Sequence, residues 1–277
     1  MSLGVFLAVL LAALMHAAWN AWIKGGDDRF ASILAMSAGQ SLLSAALLPF
    51  FGLPPAHAWP WILGSAALHT GYKIFLINAY ERGDLSQVYP LARGTAPLIV
   101  AVAGALFLAE LPPPLRLAAV AAIGLGILLM AGGTGRLSGL ALLLALGTAA
   151  FTAAYTLVDG HGARISGDAS TFILWSIALD APLMLAYALA ARGGGVLFPA
   201  LRSGWRQGLA AGAVSAGGYW IVVWAFTQAP LAMVAALRET SVLFAMLIAA
   251  LLLKERVARR RWAAAGLILA GVALMRL

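Results

Sequence analysis

Hydrophobic and polar positions alternate along this chain on a long wavelength, with apolar runs of about 20 residues parted by short polar, glycine-rich or proline-rich breaks. A helix rising about 1.5 Å per residue needs about 20 mainly apolar residues to cross the ~30 Å hydrocarbon layer of a bilayer. Ten stretches meet that length, at residues 3–23, 30–50, 59–81, 85–108, 114–131, 137–158, 169–191, 206–228, 230–253 and 260–276. The breaks carry turn signals: Gly25-Gly26-Asp27-Asp28, Pro54-Pro55, Arg82-Gly83-Asp84, Pro112-Pro113-Pro114, Gly132-Gly133-Thr134-Gly135 and Gly193-Gly194-Gly195. At Gln228-Ala229-Pro230 the connection is tight enough to make a helical hairpin of its flanking spans. The first run has the small residues of a secretion signal (Ala17, Ala18), but no Lys or Arg precedes it and nine similar runs follow, so it is read as a retained span.

The pattern repeats. AYERGDLSQVYPLARGTAPLIVAVAGALFLAEL, beginning at Ala79, lines up with AFTQAPLAMVAALRETSVLFAMLIAALLLKER, beginning at Ala225, at a spacing of about 145–146 residues. Ala79 meets Ala225, Leu85 meets Leu231, Val88 meets Val234 and Glu110 meets Glu255. The match continues with Gly126 opposite Gly271 and Met130 opposite Met275. The expected halves are residues 1–133 and 134–277 of one membrane domain. Five spans per half is odd, so the second copy enters the membrane from the other side. The expectation is an all-α integral membrane fold of ten transmembrane helices, two five-helix inverted repeats, an arrangement suited to alternating access.

Composition agrees: 63% of the 277 residues are hydrophobic and 10% charged, more apolar surface than a water-soluble domain of that length could bury. The absence of cysteine removes disulfides, thiolate nucleophiles and thiolate metal ligands. The net charge of +8 reads as topology and not as a nucleic-acid partner. Connections after odd-numbered spans hold twelve basic residues: Lys24, Arg29, Arg82, Arg136, Arg192, Arg202, Arg206, Lys254, Arg256, Arg259, Arg260 and Arg261. The remaining connections and termini hold Arg116, Arg164 and Arg276. By the positive-inside rule the first group is cytoplasmic and both termini lie outside.

These residues resemble the drug/metabolite transporter superfamily, in particular its ten-span EamA-type exporters. The resemblance rests on Trp19-Asn20-Ala21-Trp22-Ile23-Lys24 in the first span, the repeated hairpin segments 79–86 and 225–232, and the acids closing spans four and nine, Glu110 and Glu255. It covers essentially the whole chain. It implies a bundle around a central cavity in a bacterial inner membrane, no bound cofactor, and export of amino acids or related metabolites by a monomer. The many aromatics look like an aromatic amino-acid exporter. The halves are not faithful copies, since Tyr89-Pro90 is replaced by Ala235-Ala236.

An ionisable group in hydrocarbon costs about 2.5–3.5 kcal/mol or more unless it meets protein, water or a partner, which makes each one a site candidate. They are His16, His69, Lys73, Arg93, Asp180, Arg238 and Glu239. The competing reading, structural pairing or snorkelling, weighs most for Asp180, beside Pro182. Arg93 and Glu239 are equivalent in the repeat and so placed to pair across the centre. Arg238 and Glu239, adjacent on a helix, should point about 100° apart, one to the cavity and one to a neighbouring helix. A guanidinium of Arg93 or Arg238, with Lys73 in reserve, would meet a substrate carboxylate with parallel hydrogen bonds. Glu239 would meet an ammonium group or carry a coupling proton. His16, Trp19 and Asn20 share a helical face, as do His69, Tyr72 and Lys73, and Thr148, Phe151, Thr152 and Tyr155. With Tyr89, Tyr219 and Trp220 they would wall a small-molecule cavity. For Trp19, Tyr155, Trp220 and Trp224, interhelical packing or the interfacial belt is an equal alternative.

No G-x-x-x-x-G-K-[ST] loop occurs, so transport would draw on gradients or exchange and not on nucleotide hydrolysis. Paired carboxylates, a Ser–His arrangement or a His-rich zinc motif are missing, which argues against an intramembrane enzyme. Carriers of other small organic ions, such as drugs or nucleotide or sugar metabolites, and a channel stay open as alternatives.

Overall fold

The computed structural model describes residues 1–24, 29–131, 137–251 and 257–276, and the regular elements among them are helices. In chain order they are α1 (Leu3–Lys24), α2 (Arg29–Leu47), α3 (Trp59–Arg82), α4 (Leu85–Phe107), α5 (Pro114–Leu129), α6 (Gly139–Ile165), α7 (Ala169–Arg192), α8 (Gly194–Gln228), α9 (Leu231–Arg238), α10 (Ser241–Leu251) and α11 (Arg259–Leu274). Single 3₁₀ turns at Leu48–Phe50 and Ala56–Ala58 break the α2–α3 connection. Among the described residues seven segments are long and apolar enough to cross a membrane: Leu3–Ala21, Phe30–Phe50, Ser86–Phe107, Gly139–Ile165, Ala169–Arg192, Gly204–Gln228 and Leu231–Leu251. Leu3, Leu7, Leu11 and Leu14 form one open face of α1, while Val5, Val9, Ala13 and Ala17 are buried on the other. Apolar side chains thus face outward as well as inward, the surface lipid requires.

Three boundaries differ from the sequence expectation. α6 runs to Ile165, beyond the expected end at 158. Of the three consecutive glycines only Gly193, at φ +72°, leaves the helix, and α8 starts at Gly194. The stretch 230–253 divides at Glu239-Thr240, where the Thr240 hydroxyl donates to the Leu237 carbonyl (2.6 Å) and the Thr240 amide takes that same carbonyl (3.1 Å). A side chain competing for the helical ladder tightens it locally to the 3₁₀ pattern. The turn signals at 25–28 and 132–135, the boundary at 133/134, Arg136, Lys254, Glu255 and Arg256 lie outside the described residues.

Pro90 and Pro97 stay inside α4, and Pro182 inside α7. Just before Pro182 the Ser41 hydroxyl from α2 enters the α7 ladder, donating to the Ile177 carbonyl and accepting from the Ala181 amide (3.2 Å). Such an insertion bends a helix at a defined point. Asp168 caps α7 through the amides of Ser170 and Thr171, both at 3.0 Å. Burial works to raise its carboxyl, but the bonds from Thr171 and Ser170 outweigh it and hold the group below the ordinary carboxylate range.

Small residues set the close approaches. A Cβ on Gly39 of α2 would stand 2.3 Å from the Gly208 carbonyl of α8, so the two backbones touch. Between α5 and α11 the contact is reciprocal: a Cβ on Gly126 would meet Ile268, and one on Gly271 would meet Ile123.

Candidate functional site

The helices enclose a cavity of about 530 Å³, within the size range of small-molecule sites. His16, Trp19, Asn20, His69, Tyr72, Lys73, Tyr89, Tyr155, Tyr219 and Arg238 line it. Phe151 stands behind the wall, packed on Phe75 (centroids 5.0 Å apart) and against Gly71. Trp220 faces elsewhere, its indole N–H donating to Ser170 Oγ (3.0 Å) with its ring edge-on to Phe51. Arg93 and Glu239 sit just outside the cavity, both buried.

Three polar clusters hold the charges. In the first, Arg93 Nε stands 3.2 Å from Glu239 Oε2 and its Nη1 donates to Oε1 (3.3 Å). Arg238 reaches the same Oε1 from the other side (Nη2, 3.0 Å). The two adjacent side chains meet because the helix breaks at Glu239, so the 100° separation of a continuous helix does not apply. Arg93 Nη2 also contacts His16 Nε2 behind the wall, whereas Arg238 lines the cavity, within 5.7 Å of the Tyr155 ring and 6.0 Å of Tyr219.

In the second cluster the Lys73 ammonium on α3 pairs with Asp180 on α7 and donates to Ser37 Oγ (2.8 Å). Gln40 Nε2 and Thr70 Oγ1 complete the carboxylate shell at 3.3 and 3.4 Å. In the third, Asp159 Oδ2 receives the Tyr219 hydroxyl (2.5 Å) and His69 Nε2 (2.9 Å), while Oδ1 is buried with no partner among the described residues. The His69 ring stacks on Tyr155, centroids 4.1 Å apart. Sequence reasoning passed over Asp159 and Gln40. Asp159 continues the stripe of Thr148, Thr152 and Tyr155 one turn further, but ending the sixth span at 158 left it in a loop. Gln40 carries no charge to mark it. Among the described residues no three His, Asp or Glu side chains are grouped to hold a metal ion.

The cavity opens at one end of the bundle. Its lining reaches Asn20 at the end of α1, Tyr80 near the end of α3, Asp84 and Ser86 at the start of α4, Ala249 near the end of α10, and Arg261 at the start of α11. These flank the connections that carry most of the basic residues. Asp84 caps α4 there by accepting the Ser86 amide (2.8 Å), a bond that holds its carboxyl below the ordinary range. The opposite end is closed. Arg164 pairs with Glu110 and donates to the carbonyls of Phe226 (2.8 Å) and Ala229 (3.1 Å), while Glu110 Oε2 accepts the Leu231 amide (2.9 Å). The α2–α3 connection lies over the same end, with the carbonyls of Phe51 and Gly52 taken by Thr171 and Trp175.

The sequence model of the EamA-like transporter family matches residues 2–132 and again 139–277. A solved crystal structure, 19% identical, superposes with a TM-score of 0.76 over 99% of this chain and 98% of the other, a likeness of fold. No curated protein matches the sequence.

Proposed function

The chain belongs to the EamA-like transporter family, integral membrane transporters of small molecules and not enzymes, and from that premise we propose that it is a secondary exporter of amino acids or related metabolites working by alternating access. In this reading ten helices span the membrane, α3, α5 and α11 joining the seven segments named above, as inverted units 1–133 and 134–277. Several observations support it. The family's sequence pattern occurs twice in the chain. Met36 and Gln40 of α2 line the cavity, and so do Ser176 and Asp180, 140 positions on. His69 and Lys73 of α3 line it, and so do Ser215 and Tyr219, 146 positions on. Arg93 and Glu239 share the 146-residue offset of the repeat and Gln40 and Asp180 the 140-residue offset of the lining pairs of α2 and α7, so in this reading both contacts join equivalent positions, as expected beside a two-fold axis.

With both termini outside, the open mouth faces the cytoplasm, from which an exporter loads. The observation that carries the substrate class is Arg238: a guanidinium at the cavity wall, balanced by a carboxylate it shares with Arg93 and framed by tyrosine rings. Two cations on one carboxylate leave a net positive pole, which a substrate carboxylate would neutralise. Trp19, Tyr72, Tyr155 and Tyr219 offer aromatic surface to an apolar side chain. Proteoliposomes assayed with a panel of amino acids, with and without a pH gradient, test this. Saturable uptake stimulated by substrate inside is expected, with KM raised in Arg238→Gln. Flux linear in concentration would mean a pore instead, and silence across the panel would discard the amino-acid assignment.

A further inference from the structure

We propose that Asp180 is the coupling-proton site, loaded when the cavity faces the side opposite to the one seen here; this rests on the inverted-repeat transporter reading above. In an inverted repeat the second access state arises when the two halves exchange conformations. A contact between equivalent positions maps onto itself in that exchange and persists, whereas any other contact is handed to the equivalent pair. At the 140-residue offset that also relates Met36 to Ser176, Gln40 and Asp180 are equivalent, so their hydrogen bond of 3.3 Å is kept. The ion pair between Lys73 and Asp180 is not of that kind. Its counterpart would join Tyr219 to Gln40, and the Tyr219 hydroxyl is instead committed to Asp159. Exchange therefore takes Lys73 away from Asp180 and leaves the carboxylate with neutral neighbours.

The surroundings make that loss consequential. Asp180 is 2% exposed. From α3 it meets Lys73 and Thr70, and from α2 it meets Gln40, with Ser41 one residue along at the Ala181 amide. The titratable groups nearest in register, His69 of α3 and Tyr219 of α8, are turned to Asp159. A buried carboxylate stripped of its cation is strongly destabilised, and the available relief is protonation. One proton from water on the newly open side forms an O–H on Asp180, and it returns to water on the first side when the Lys73 ammonium comes back to the carboxylate. The Ser41 hydroxyl enters the α7 ladder beside Pro182 at this level, the kind of insertion at which helices flex, so that the carboxylate can shift against α3. With the described state open to the cytoplasm, protons move inward as substrate moves outward.

The test uses wild-type and Asp180→Asn protein in vesicles loaded with a pH-sensitive dye, and the amino acid that gives saturable counterflow in the wild type. Wild-type vesicles should show proton movement opposite to substrate and accumulation driven by a pH gradient. Asp180→Asn should lose both, whereas Asp180→Glu, which keeps a titratable carboxyl at the same place, should keep proton movement with a shifted pH dependence. Where Asp180→Asn abolishes substrate flux as well, the pH profile of Asp180→Glu decides. Proton movement that survives in Asp180→Asn, or a pH profile that Asp180→Glu leaves unmoved, overturns the proposal. So does wild-type counterflow with no proton movement, a result that leaves the transporter reading standing. Absence of wild-type counterflow is the separate failure that removes that reading and the proton site with it.

Discussion

At the scale of single residues, the most consequential side chain is Glu239, fully buried between Arg93 and Arg238. Removing one partner of a buried ion pair costs about 3–5 kcal/mol, because the remaining charge stays in a poor solvent. Glu239→Gln strands two guanidiniums, whereas Arg93→Gln leaves Arg238 on the carboxylate. Thermal unfolding in detergent should therefore rank Glu239→Gln well below Arg93→Gln, and a Glu239→Gln midpoint equal to wild type would contradict the assignment. Asp168 offers a milder case with a pH signature. Its carboxyl is held below the ordinary range in the folded chain, so its contribution is complete above that range and drains away as pH falls through the depressed value. Asp168→Ala should cost about 1 kcal/mol at neutral pH and nothing in strong acid. Part of this chemistry was legible in the sequence. The 146-residue spacing of the similar segments set Arg93 opposite Glu239, and the two side chains do meet. Their closeness to Arg238 was not legible, because it depends on the helix breaking at Glu239-Thr240, and a threonine hydroxyl carries no signal in the sequence of which carbonyl it will take.

Among elements, the α2–α8 pair is the most tightly fixed. Gly39, Gly208 and Gly212 bring the backbones together, and a Cβ on Gly208 would lie 2.5 Å from the Ala35 carbonyl. Gly39→Ala must push the helices apart and should destabilise by about 1–3 kcal/mol, like other overpacked interiors. Gly104 in α4 is the control, since a Cβ there meets nothing within 4 Å among the described residues. Gly104→Ala should stay within about 1 kcal/mol of wild type, on the stable side if helix propensity decides. Equal destabilisation of the two variants would show that glycine content, not close approach, matters. The small-residue stripe on α8 was visible in the sequence as Gly208, Gly212 and Ala216, but its partner was not, because spacing says that a face is flat and not what lies on it. Span lengths were read well where apolar content ends sharply, as at Phe107, and badly where a helix continues through polar residues, as α6 does past Asp159 to Ile165.

For the whole molecule, the question is what keeps one end shut while the other stands open. The positions Leu231 to Ser241 are all buried, and their first amide is held by Glu110 across from α4. α4 ends through Ala109, at φ +52°, a left-handed conformation that costs an alanine about 1–2 kcal/mol and turns Glu110 back over the start of α9. Arg164 then ties Glu110 to the carbonyls of Phe226 and Ala229, so that one guanidinium joins the ends of α4, α6, α8 and α9. The ion pair is partly exposed and by itself worth little. Its strength lies in the carbonyls and the amide that lose their partners together when it opens. Arg164→Ala should shift the balance toward the state open at this end, by about tenfold for each 1.4 kcal/mol the clamp contributes. Because the chain has no cysteine, one introduced at Ala232 reports on that end alone. In the parent background this position, 5% exposed, should react slowly with a membrane-impermeant maleimide. Adding Arg164→Ala should speed the reaction, and Glu110→Gln, which keeps an acceptor for the Leu231 amide, should fall between. Labelling that ignores both changes would mean the seal is made by the packing of α9 instead, and that the polar clamp only decorates an end already closed.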